Sequence, residues 1–135
     1  MAALTAKRAT KSRRLGHKTK YLMKASTTIY AGAMVVCESG LAIPAANGAN
    51  NSNVAGVAVE TVTSASSGDY YIEVQEGEFL MNATSIAQSA VMTTVYAKDD
   101  NTVDETASSN DPTAGKLIEY VSSTSGWVRM GPDSV

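Results

Sequence analysis

DYYIEVQEGEFLMN, residues 69–82, decides the fold. In its first half Tyr70, Ile72 and Val74 alternate with Tyr71, Glu73 and Gln75. That period of two places one set of side chains on each face of a strand. Gly77 then interrupts a second β-rich run, which predicts either a bulged continuation or the next strand.

The same texture extends in both directions, as short apolar runs separated by turn residues every 8 to 15 positions. Upstream, TTIYAGAMVV (27–36) reads as a strand ending at the turn ESG (38–40), and LAIP (41–44) as a short strand closed by Pro44. AANGANNSN (45–53) is a loop whose Asn and Gly residues tolerate left-handed backbone. VAGVAVET (54–61) follows, with Gly56 marking a bulge or a close backbone approach, and SASSG (64–68) is another turn. Downstream, IAQSA (86–90) predicts a turn or two of helix, N-capped by Thr84 or Ser85. VMTTVYA (91–97) leads into KDDN (98–101), which has hairpin-turn chemistry. A loop over 105–115 precedes a last hairpin, KLIEYV (116–121) and GWVRM (126–130) around SSTS (122–125), and a frayed five-residue tail.

Eight or nine short strands and at most one short helix exclude a parallel α/β fold, which needs repeated crossover helices. The fold class is all-β, a small antiparallel β-sandwich or barrel-like body over residues 25–135.

Residues 1–24 differ from that body. Lys7, Arg8, Lys11, Arg13, Arg14, Lys18, Lys20 and Lys24 face no carboxylate within the segment. The remaining 111 residues carry all 13 carboxylates against Lys98, Lys116 and Arg129, a balance of −10. Apolar anchors in the leader are sparse. Such a segment cannot offset its ordering cost of about 1–2 kcal/mol per residue, so it reads as an extended basic arm, mobile until it meets an acidic partner. No apolar run approaches the roughly 20 residues of a membrane span. The leader also lacks the clean apolar stretch of a signal peptide.

The inventory argues against an enzyme. The one histidine, His17, lies in the arm, where no catalytic base can be held in place. The one cysteine, Cys37, follows AMVV at a strand end and reads as a small core or boundary residue. Glu73, Glu76 and Glu78, like Asp99, Asp100 and Asp104, read as solvated surface. DDNTVD (99–104) lacks the glycine and distal glutamate of a calcium loop. No cofactor or metal site is expected. Eight cations suit nucleic-acid phosphates, but the acidic body would be repelled by a polyanion, and no aromatic platform accompanies the cations. An acidic protein surface is the better partner, and several arms on one oligomer would add avidity.

The order ASTTIYAGAMVV, GLAIPAA, VAGVAVETV, YYIEVQEGEFLMN, VYAKDDNTV and AGKLIEYVSSTSGWVRM, after the basic TAKRATKSRR, resembles the capsid decoration (cement) proteins of tailed bacteriophages. The likeness covers most of residues 25–131 and lies in the order and character of segments. It implies a structural virion protein on the outer surface of the capsid, often a homotrimer at threefold positions. Such a protein binds the major capsid protein and stabilises the expanded head. The family's capsid-binding arm maps onto residues 1–24. Lys7, Arg8, Lys11, Arg13 and Arg14 are the candidate contacts, and Lys18, Lys20, Tyr21 and Leu22 complete the set. Strand addition by residues 19–30 to a neighbour's sheet edge is a specific form of that docking. A nucleic-acid-binding protein and a fibre or adhesin β domain are the alternatives.

Overall fold

The computed structural model describes residues 3–46, 53–65, 69–107 and 111–132. It is all-β, with thirteen strands among these residues: β1 (Ser12–Arg13), β2 (Lys18–Leu22), β3 (Thr28–Ile29), β4 (Met34–Glu38), β5 (Leu41–Pro44), β6 (Val54–Ala58), β7 (Val62–Thr63), β8 (Tyr71–Gln75), β9 (Gly77–Ala83), β10 (Thr94–Ala97), β11 (Thr102–Asp104), β12 (Thr113–Ser122) and β13 (Ser125–Met130). The helix expected at 86–90 shrinks to one 3-10 turn, Gln88–Ala90. Its N-cap is Ala87, without a side-chain cap, rather than Thr84 or Ser85. Most of the loop expected at 45–53, the end of the 64–68 turn and the last residues of the tail lie outside the described residues.

Five strands run in the order β2-β8-β6-β4-β5. A bridge between Met23 and Ala42 joins the two ends, so this sheet closes into a small barrel. The second sheet runs β1-β9-β11-β10-β12-β13, and β9 also pairs with β13, which closes β9 to β13 into a ring of its own. The strand pairings within these two sheets are antiparallel except that of β9 with β11, and the Met23–Ala42 closing bridge is also parallel. The expected strand over 27–36 is broken by a turn at Ala31–Gly32, leaving β3 to pair with β7 and β4 to join the barrel.

The apolar runs at 33–36 and 54–58 explain how the two sheets meet. They do not alternate, and a strand without alternation is buried on both faces. Val35, Ala55 and Ala58 point into the barrel with Met23, Ile72 and Val74. Met34, Val36, Val54 and Val57 point out of it, against Phe79, Met81, Leu117, Val128 and Met130 of the second sheet. Each fully buried side chain of this kind contributes about 1.5–3 kcal/mol. Val54 and Val57 share a face only because a residue is inserted between them. The register of β4 on β6 slips there, at the bulge that Gly56 predicted. A Cβ at Gly56 would lie 2.3 Å from the Gln75 carbonyl oxygen, so the close approach is real as well.

Candidate functional site

The basic leader does not stand off the body as a separate arm. From Leu4 to Met23 it is fastened along both sheets. The Leu4 amide donates to Asp100 Oδ1 at 2.9 Å, and the Arg8 amide to the Ala31 carbonyl at 2.7 Å. Thr10 Oγ1 donates to the Gly32 carbonyl at 2.7 Å, and the Leu80 amide to the Lys11 carbonyl at 2.9 Å. β1 then pairs with β9, and β2 with β8, both antiparallel. Of residues 19–30, expected to add to a neighbour's sheet, 19–22 are therefore already paired within the chain on one side.

Between β8 and β9 the chain turns from one sheet into the other at Glu76 and Gly77, and the leader turns with it. It uses four residues, 14–17, to pass two, 76–77. Arg14 takes a φ of 50° at this corner. The Gly16 amide donates to the Glu76 carbonyl at 2.9 Å, and the Glu76 amide to the His17 carbonyl at 3.0 Å. The buried Gln75 side chain locks the corner, with Nε2 donating to the Gly16 and His17 carbonyls at 2.7 and 3.3 Å. The expectation of a mobile leader fails for a physical reason. An edge strand needs backbone partners and one inward side chain every second residue, not an apolar sequence, and long cations keep their heads in water while their stems lie on the sheet. Tyr21 supplies the inward contact against the barrel core.

Electrostatics reinforce the fastening. Glu78, expected on the surface, is 2 % exposed and ringed by arginines. Arg129 Nη2 lies 2.7 Å and Arg13 Nε 2.9 Å from its oxygens, with Arg14 Nε at 3.6 Å. Arg13 also reaches Glu119 Oε1 at 2.9 Å and stacks 4.2 Å from the centroid of the Trp127 ring. Burial alone raises the Glu78 pKa, but hydrogen bonds and charge from Arg129 and Arg13 outweigh it and hold the carboxyl below its usual value. A carboxylate depressed on folding contributes stability in full above its unfolded pKa of about 4.3, and loses it as pH falls through the lower folded value. Glu78→Gln is therefore expected to cost about 2 kcal/mol at pH 7, or about 6 °C in Tm. Melts of both proteins from pH 7 to pH 3 should show that gap closing below about pH 4.5.

The other leader cations end up elsewhere. Lys7, Lys11, Lys18 and Lys20 are exposed, and Arg8 is half-buried. None of these five has a described carboxylate within 4 Å. Lys24 lies 3.8 Å from Glu38, and Leu22 is half-buried on β2. His17 is exposed at the corner. Cys37 lies at a half-buried place against the barrel core, where burial pushes its thiol pKa up. Asp100, also expected on the surface, is 2 % exposed; burial raises its pKa, and the Leu4 amide and Asn101 Nδ2 partly counter that. Among the described residues no three His, Cys, Asp or Glu side chains are placed to hold a metal ion. No helix there is long and apolar enough to cross a membrane.

No protein family, curated protein or solved structure matches the chain. The geometry must speak for itself, and it adds Gln75, Glu78 and Asp100 to the residues that matter. Their signal in the sequence was faint. A carboxylate followed by apolar Phe79 and Leu80 in a β-run is a candidate for burial, but its partners at 13, 14 and 129 are far away in the chain.

Proposed function

We propose that this is a structural, non-enzymatic protein that binds the outer surface of a tailed-phage capsid and stabilises the expanded head by bridging major capsid protein subunits. The single observation that carries the reading is the fate of the leader's charge. Arg13, Arg14 and Lys24 are neutralised within the chain. Lys7, Arg8, Lys11, Lys18 and Lys20 are held on an ordered ledge with no counter-charge among the described residues, on a body of balance −10. An ordered row of uncompensated cations binds an acidic surface without the ordering cost of a floppy arm. The segment resemblance supports the identity of that surface and a homotrimeric state at threefold positions. Each bound copy then adds free energy that shell rupture must overcome.

Cosedimentation with expanded tailed-phage heads stripped of decoration protein tests the reading. Wild type is expected to pellet with heads at about 0.1 M salt and to weaken as salt rises. Changing Lys7, Lys11, Lys18 and Lys20 together to Glu should abolish pelleting while leaving the Tm within a few degrees, since these side chains make no ion pair with described residues. Wild type that ignores heads yet shifts duplex DNA at the same salt would instead favour the nucleic-acid reading.

A further inference from the structure

Where the leader crosses from β9 toward β8 it roofs a cleft of about 320 Å³. Two cations, Arg8 and Lys18, line it, and among the described residues no carboxylate does. Its apolar wall is Leu15, Val57, Val59 and Phe79, of which Leu15 and Val59 are 56 % and 40 % exposed. The guanidinium of Arg8 is fixed in place. Its Nη1 donates to Thr10 Oγ1 at 2.9 Å and to the Leu80 carbonyl at 3.2 Å. Its Nε and Nη2 make no hydrogen bond to a described residue. Burial lowers its pKa. A half-buried, immobilised guanidinium with an open donor edge is a preorganised receptor for a planar oxyanion, and one with apolar walls favours an anion that carries hydrocarbon beside it.

We infer that this cleft binds a carboxylate side chain of a partner protein, an Asp or Glu with an apolar neighbour, between Arg8, Lys18 and the Leu15–Val59–Phe79 wall. The carboxylate takes the free edge of Arg8, Lys18 supplies a second positive charge at the rim, and the adjacent apolar residue covers Leu15 and Val59. The charge complement selects an acidic segment, and the wall selects against a bare inorganic anion. The inference deepens the docking proposed above and rests on it only for the partner's identity.

The test titrates the full-length protein with acetyl-Leu-Glu-Val-amide, acetyl-Leu-Gln-Val-amide and inorganic phosphate, following the Arg8 Nε–H and the Val59 and Leu15 methyl signals by NMR. The Glu peptide is expected to shift all three sets and to bind at least tenfold more tightly than the Gln peptide or phosphate. Arg8→Gln should weaken the Glu peptide at least tenfold. Val59→Glu, at an exposed wall position that leaves the leader's hydrogen bonds intact, should abolish it by placing a carboxylate in the cleft. Equal binding of the Glu and Gln peptides, or of phosphate and the Glu peptide, overturns the assignment, as does a Val59→Glu protein that still binds. Peptide binding without head cosedimentation leaves the cleft standing and removes the capsid reading. Head binding that Val59→Glu leaves unchanged, with no peptide binding, removes the cleft alone.

Discussion

Deleting residues 2–22 is expected to destroy the cooperative fold rather than to release a stable body. The deletion removes β1 and β2, and with β2 the barrel loses one of its five strands. Tyr21 no longer covers the cluster containing Ile72 and Val74, and the side chain of Gln75 loses the two carbonyls it holds at the corner. Glu78 loses Arg13 and Arg14 and keeps Arg129. A small domain is stable by about 5–15 kcal/mol in total. Opening a closed barrel, stripping Leu4 and Tyr21 from its core and leaving a buried carboxylate one described partner instead of three together approach that whole margin. Circular dichroism melts and size-exclusion chromatography decide the matter. The expected result is a broad or absent transition with aggregation. A truncated protein that melts sharply within about 5 °C of the full chain would show that the leader is an appendage after all.

A single methyl group at position 32 should do locally what the deletion does globally. Gly32 has a φ of 91°, and a Cβ there would sit 2.0 Å from the Arg8 carbonyl oxygen. Neither the left-handed backbone nor the contact can be kept by alanine. The leader around Arg8 to Thr10 must lift, breaking the Arg8 amide bond to Ala31 and the Thr10 bond to Gly32. Gly32→Ala is expected to cost about 3 kcal/mol and about 10 °C in Tm. β2 and the barrel stay in place. Limited trypsin digestion at Arg8 and Lys11 should become several-fold faster, while the core amides keep their exchange protection. Unchanged cleavage at these sites would mean that the observed seat of the leader is not the populated one.

Much of the architecture was legible in the chain because strand signals there are local. The Val, Ile and Tyr of 69–75 obey the period of two, LAIP is a short apolar run closed by proline, and the turn residues at 38–40 and 98–101 sit where the strands stop. Closure was not legible. Nothing in residues 18–24 or 41–44 alone says that Met23 will meet Ala42, since long-range pairing is set by three-dimensional packing. The leader misled because its charge was read as a statement about order, whereas an edge strand is a common place for lysines. Of the candidate contacts, Arg13 is the instructive case. In sequence it is one more cation in a cluster. In the structure its guanidinium is shared among Glu78, Glu119 and Trp127, residues at least 65 positions away that only the folded sheet gathers around it.

The corner at residues 14–17, where the leader follows the turn from one sheet into the other, has a mechanical consequence. A tug on the first few residues, first resisted by the contacts of Leu4, Arg8 and Thr10, meets two hydrogen-bonded ladders on either side of a bend pinned by Gln75. Such a load can draw off β1, but it cannot reach the ladder of β2 without first straightening the bend. The two ladders are therefore loaded in turn, and the bend divides the leader into two separately anchored lengths.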